Sequence, residues 1–172
     1  LYLNNGDGSF TKVTNDPTTT ANGNSMAAAF SDMDRDGDLD LLIANHSNES
    51  NFYFTNNGNS NNWLQVRLTG TNSNKSAIGA RVKVKATILG SAVWQMREIS
   101  SQTGGGAGAQ SSLVAHFGLG NATSVDSIIV IWPSGYIQNQ TNVSSNQLLS
   151  ITEDNGALVS GKVYNDLNGD CI

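Results

Sequence analysis

The sequence predicts an all-β protein, in which a partial β-propeller-type repeat is followed by a small antiparallel β-sandwich or barrel-like domain. Three observations carry this reading. Short apolar runs recur with Asn- and Gly-rich turn signals between them. Two of the runs, Trp63-Leu64-Gln65-Val66-Arg67-Leu68 and Ala80-Arg81-Val82-Lys83-Val84-Lys85, alternate as half-buried strands do. No segment repeats apolar residues at helical spacing for three turns. The composition agrees: only 13% of the 172 residues are charged, 38% are hydrophobic and 18 are Gly. Small polar residues with Gly suit tight turns, where positive φ is needed, and the discrete apolar runs argue against disorder. A chain of this length buries roughly two thirds of its surface without a disulfide framework, and its one cysteine, Cys171, permits no internal disulfide and no multi-cysteine zinc site.

Taken in order, candidate strands fall at 10–13, 26–30, 39–44 and 52–55, then at 63–69, 80–88, 93–99, 113–117, 125–132 and 147–152, with a last one at 158–164. Three zones follow from them: 1–62, rich in Asn and Gly; 63–152, with the longer alternating strands and six of the nine Lys and Arg; and 153–172, a linker and the start of a further module. In the first zone Leu1-Tyr2-Leu3-Asn4-Asn5-Gly6 is echoed by Phe52-Tyr53-Phe54-Thr55-Asn56-Asn57-Gly58. The echo spans about fifty residues, near a propeller-blade period. One and a half repeats cannot close a ring, so the expectation is the tail of a repeat array, excised or completed by something else.

The sharpest chemical signal is Asp32-Met33-Asp34-Arg35-Asp36-Gly37-Asp38-Leu39-Asp40, which places five of the fourteen acidic residues within nine positions. Carboxylates this close repel one another unless a cation sits among them. Oxygen ligands in this number suit Ca²⁺ better than Mg²⁺, whose octahedron takes fewer protein ligands. Asp32, Asp34, Asp36, Asp38 and Asp40 are therefore the candidate calcium ligands, with Asp38 expected to contribute its backbone carbonyl and Gly37 the sharp turn; the alternative is a solvated acidic turn. The bidentate Glu that closes an EF-hand would fall at Ile43, inside the strand-like run Leu41-Leu42-Ile43-Ala44, so an EF-hand is excluded. Flanked by strands, this loop and the run Leu1 to Phe10 resemble the calcium-binding FG-GAP/VCBS repeats of integrin-type propellers and bacterial surface proteins. The resemblance implies a structural ion, not a catalytic one.

The middle zone carries Asn74-Lys75-Ser76-Ala77-Ile78-Gly79-Ala80-Arg81-Val82, then a Gly-rich stretch over 101–108, His116-Phe117-Gly118-Leu119-Gly120, and Val130-Ile131-Trp132-Pro133-Ser134-Gly135. In order and spacing these are similar to an ASPIC/UnbV-type domain, which implies a small β domain of secreted or surface proteins with no agreed catalytic activity. Its tempting residues have duller readings. His116 reads as a packed or hydrogen-bonded residue before a base. The Gly104–Gly108 loop lacks the helix or GK[ST] that a phosphate site requires. Trp132, before Pro133, reads as packing before a sugar platform. Arg81, Lys83 and Lys85 project from one strand face, either as a solvated stripe or as a surface for an acidic glycan.

At the C-terminal end, Val159 to Ile172 resembles the opening of a calcium-binding B-type repeat of bacterial adhesins. Asp166, Asn168 and Asp170 form an incomplete second site there; an ordinary loop is the alternative. Net charge is −5, against nucleic acid as the main partner, and no apolar run is long enough to span a bilayer. No nucleophile has a base and an orienting partner beside it, so no enzyme is expected. The sequence thus points to a calcium-stabilised extracellular or cell-surface piece of a larger, bacterial-type secreted protein. It is expected to bind glycan or protein ligands. The alternatives are a subunit or stalk self-assembling through an open β edge, and an accessory module of a secreted hydrolase.

Overall fold

The computed structural model describes residues 2–103 and 108–154. Within them the chain forms twelve strands and one helical turn in four sheets. β1 (Tyr2–Asn4) and β2 (Phe10–Lys12) make an antiparallel hairpin. The helical turn α1 (Pro17–Thr20) follows, with Asp16 capping it through Thr18 N–H at 2.8 Å and Pro17 starting it where no N–H is needed. β3 (Ser25–Ser31), β4 (Asp40–Asn45) and β5 (Phe52–Phe54) form an antiparallel sheet in sequence order. The acidic loop is the connection from β3 to β4, and Ser31 pairs with Asp40 across its mouth.

The second half holds the core. β6 (Asn62–Thr69) lies between β9 (Ala115–Gly120), antiparallel to it, and β12 (Gln147–Thr152), parallel to it. The other sheet has the order β11 (Ile137–Ser144), β10 (Ser124–Ile131), β7 (Arg81–Ile88), β8 (Ser91–Glu98), all antiparallel. The two open sheets pack as a sandwich; neither closes into a barrel. Period-two alternation decides what goes inside: Val82, Val84 and Ala86 of β7 and Ile128 and Val130 of β10 meet Leu64, Val66, Phe117, Leu119 and Ile151. Trp132 is 2% exposed and donates its indole N–H to Gln138 Oε1 at 3.1 Å. Each fully buried side chain of this size stabilises the fold by about 1.5–3 kcal/mol.

Every buried apolar residue of this core lies at position 64 or beyond. The sheets of the first zone keep Tyr2, Leu3, Phe10, Met26, Phe30 and Tyr53 exposed. A single repeat unit buries little by itself, since stacked neighbours normally cover its faces.

The candidate strand at 113–117 lies two to three residues too early, because Gly118 and Gly120 continue β9 despite lacking side chains to pack. β11 is absent from the sequence expectation: Ile-Gln-Asn-Gln-Thr-Asn-Val-Ser is almost wholly polar, and it pairs as an edge strand. The parallel β12–β6 pair departs from the purely antiparallel expectation, and the candidate strand at 158–164 lies outside the described residues.

Candidate metal centre

The acidic loop folds on its own backbone. Asp36 N–H donates to Asp34 Oδ1 at 3.2 Å, Asp38 N–H to Asp36 Oδ1 at 2.9 Å, and Gly37 N–H to Asp32 Oδ2 at 3.1 Å. Gly37 sits at φ +98° and Arg35 at φ +67°, and these left-handed residues curl the chain back toward Asp32. Carboxylate oxygens of Asp32, Asp34 and Asp36 come within 4.8 Å of one another. Asp32 Oδ1 is buried and accepts no hydrogen bond. A buried, unpaired carboxylate oxygen is costly in a protein interior; here its carboxylate gathers with two more, a set that a hard divalent cation would satisfy. The residues fit calcium.

The five sequence candidates do not play one part. Asp40 is buried and committed to the protein: Met33 N–H (2.9 Å) and Tyr53 O–H (3.3 Å) donate to Oδ2, and Asn56 N–H donates to Oδ1 at 3.0 Å. Burial would raise the Asp40 carboxyl, but these donors hold it below its ordinary value. Asp38 faces the turn at Gly58, where an added Cβ would lie 3.0 Å from its Oδ2. For Asp34, the Asp36 N–H pulls its carboxyl down, yet desolvation and the charges of Asp36 and Asp40 outweigh it and leave the group above its ordinary value. Asp32, Asp34 and Asp36 are therefore the three gathered together, and Asp40 braces the loop against β5.

What sequence reasoning missed is the other wall of the site. Gln65, on β6 and 6% exposed, donates from Nε2 to Asp32 Oδ2 at 2.7 Å. His116 Nε2, on β9, lies 2.7 Å from the Gly37 carbonyl oxygen; since a carbonyl only accepts, the imidazole carries its proton on that nitrogen. The Trp63 indole covers Gly37 so closely that an added Cβ would come within 1.9 Å of it. Ser112 N–H also donates to Phe30 O at 3.0 Å, joining β3 to the segment before β9. A cleft of about 520 Å³ opens beside these contacts, lined by Asp32, Arg35, Trp63, Arg67, His116 and Leu148. The acidic loop is thus held by residues 33 and 79 positions away from it in the chain.

The remaining sequence candidates lie elsewhere. Arg81, Lys83 and Lys85 project from the outer face of the four-stranded sheet. Asp166, Asn168 and Asp170 lie outside the described residues, as does 104–107 of the Gly-rich stretch; Gly108 has φ +79°. One more carboxylate gave no sequence signal. Glu153 is 2% exposed, and its Oε2 accepts N–H bonds from Thr71, Asn72 and Ser73 at 2.9, 2.9 and 2.7 Å. Its Oε1 accepts from the hydroxyls of Ser73 and Ser134. Burial opposes its ionisation, but the Ser134 hydroxyl and the donors of 71–73 prevail and lower its pKa to about 2. It is an internal brace, fully satisfied by protein donors.

Two comparisons bear on this arrangement. The family model described as ASPIC and UnbV matches residues 70–158, and that described as an FG-GAP-like repeat matches residues 1–43. The second match takes in β1 to β3 and the whole acidic loop. FG-GAP repeats generally bind calcium, which accords with the gathered carboxylates. Comparison with the curated proteins finds none that matches.

Proposed function

The chain belongs to the ASPIC and UnbV family and carries an FG-GAP-like repeat ahead of that domain, and on this premise we propose that it is a calcium-stabilised, non-enzymatic binding module of a larger extracellular or cell-surface protein. The observation that carries the calcium part is Asp32 Oδ1, buried without a donor, on a carboxylate gathered with those of Asp34 and Asp36. A divalent ion there would draw the three carboxylates together and fix the β3–β4 connection. FG-GAP repeat domains are typically extracellular, and among the described residues no helix is long and apolar enough to cross a membrane. The millimolar calcium found outside cells matches the affinity range of extracellular calcium modules, about 10⁻⁴–10⁻³ M.

Calorimetric titration of calcium into the chelator-stripped chain tests this reading. One binding event is expected in the wild type and none in Asp34→Asn/Asp36→Asn, which removes charge without changing shape. Equal heats from both proteins would contradict the assignment.

A second reading, assembly through the repeat sheets, is favoured by the exposed Tyr2, Leu3, Phe10, Phe30 and Tyr53. Concentration-dependent sedimentation would support it, and a monomer at every accessible concentration would count against it.

A further inference from the structure

The register of the four-stranded sheet places the basic stripe in a setting that the sequence does not disclose. Lys85 stands directly across from Trp94, and Lys83 from Met96. On the other side Lys85 faces Ser127 and then Thr141, while Lys83 faces Ile129 and then Asn139. Trp94 is 51% exposed and Met96 50%, bare apolar side chains on this face, with Ile137 exposed at its far edge. The Lys85 ammonium lies 6.0 Å from the Trp94 ring centroid, and a groove of about 340 Å³ is lined by Lys83, Trp94, Gln95, Met96 and Ile129. Among the described residues neither lysine forms an ion pair. The acids of this face stand at its two ends: Glu98 opposite Arg81, and Asp126 accepting from Thr87 Oγ1.

A chain of net charge −5 thus presents two unpaired ammonium groups beside a bare indole. Such a surface calls for a ligand that is apolar on one face and anionic at its edge. The C–H face of a pyranose ring lies flat on an indole, and a carboxylate or sulfate on the same ring reaches the lysines. The hydroxyls of Ser127 and Thr141 and the Asn139 amide supply partners for sugar hydroxyls along the next strands. We infer that the outer face formed by Trp94, Lys83 and Lys85 is a binding platform for an acidic polysaccharide. The inference rests on the binding-module reading above and gives it a ligand class. Nucleic acid, which also joins rings to anions, calls for a longer basic track than the two lysines set between Glu98 and Asp126 provide.

The test uses the full chain, with oligogalacturonate, heparin and a neutral cello-oligosaccharide as probes, binding read by calorimetry or affinity electrophoresis. Because polyuronates themselves hold calcium, each titration is run in EDTA and again with calcium. Galacturonate or heparin is expected to bind and the neutral oligomer not. Trp94→Ala and Lys83→Ser/Lys85→Ser are each expected to weaken binding by about tenfold or more, with the double lysine variant also losing most of the salt dependence. Trp94 and both lysines lie outside the core, so thermal midpoints serve as the folding control. Binding in EDTA would show that the platform works whether or not the loop takes calcium, so the two readings fail separately. Equal binding of neutral and acidic sugars, retention of binding by Trp94→Ala, or preference for an oligonucleotide or an acidic peptide would overturn the inference.

Discussion

Gln65, on β6, donates a 2.7 Å hydrogen bond to Asp32 Oδ2, at the start of the acidic loop. That oxygen also takes the Gly37 N–H, so both of its lone-pair directions are used, while Oδ1 accepts no hydrogen bond. Gln65 is thus a positioning residue: it fixes the rotamer of Asp32. Outer partners of this kind typically alter metal affinity by about 10–100-fold. Gln65→Ala is expected to weaken calcium binding to that extent while β6 stays paired on both sides. A calcium titration, with the far-ultraviolet spectrum as control, checks it; unchanged affinity would show that the loop orders itself.

Gly37 allows the close approach of Trp63. Its φ of +98° strains any L side chain, and a Cβ would sit 1.9 Å from the indole. Gly37→Ala is expected to destabilise the chain by about 2–4 kcal/mol, from left-handed strain and overpacking together. Urea denaturation measures this. Gly8→Ala, at φ +89° with open space around it, is the comparison and is expected to show the backbone part alone.

Glu153 makes stability depend on pH in a definite direction. Its folded value, about 2, lies below the ordinary 4.5, so the native state prefers the carboxylate. The stabilisation is fully present above the unfolded value and is lost as pH falls from about 4.5 toward 2. Stability in urea should therefore decline over that interval. In Glu153→Gln the decline is expected to flatten, and stability at neutral pH to fall by about 2–3 kcal/mol, because three backbone N–H groups lose a charged acceptor. A residual slope belongs to Asp40, Asp7 and Asp16, whose carboxyls are lowered as well.

Much of the core was legible because alternation is local. Leu64, Val66, Val82 and Val84 announce their strands and their buried face in the order of the residues alone. β11 was not legible, since its pairing depends on β10 beside it and not on its own polar side chains. The acidic loop was legible through its spacing, but Asp40 and Asp32 look identical in sequence. One is claimed by Met33, Tyr53 and Asn56, and the other is left open on one oxygen, a difference set by neighbours 7 to 33 residues away. His116 follows the same rule: its partner, the Gly37 carbonyl, belongs to a backbone that no motif reveals. Glu153 sits among donors from 71–73 and 134, so the five bonds that hold its charge come from residues distant in the chain.

Thermal unfolding in EDTA and in millimolar calcium, for the wild type and Asp34→Ala/Asp36→Ala, tests the central claim most directly. With the ion at about ten times its dissociation constant, mass action adds roughly 1.4 kcal/mol to the folded state. The wild-type midpoint is expected to rise with calcium and the double variant's to stay fixed. A wild-type midpoint indifferent to calcium, or a rise that the double variant shares, would contradict a structural ion in this loop.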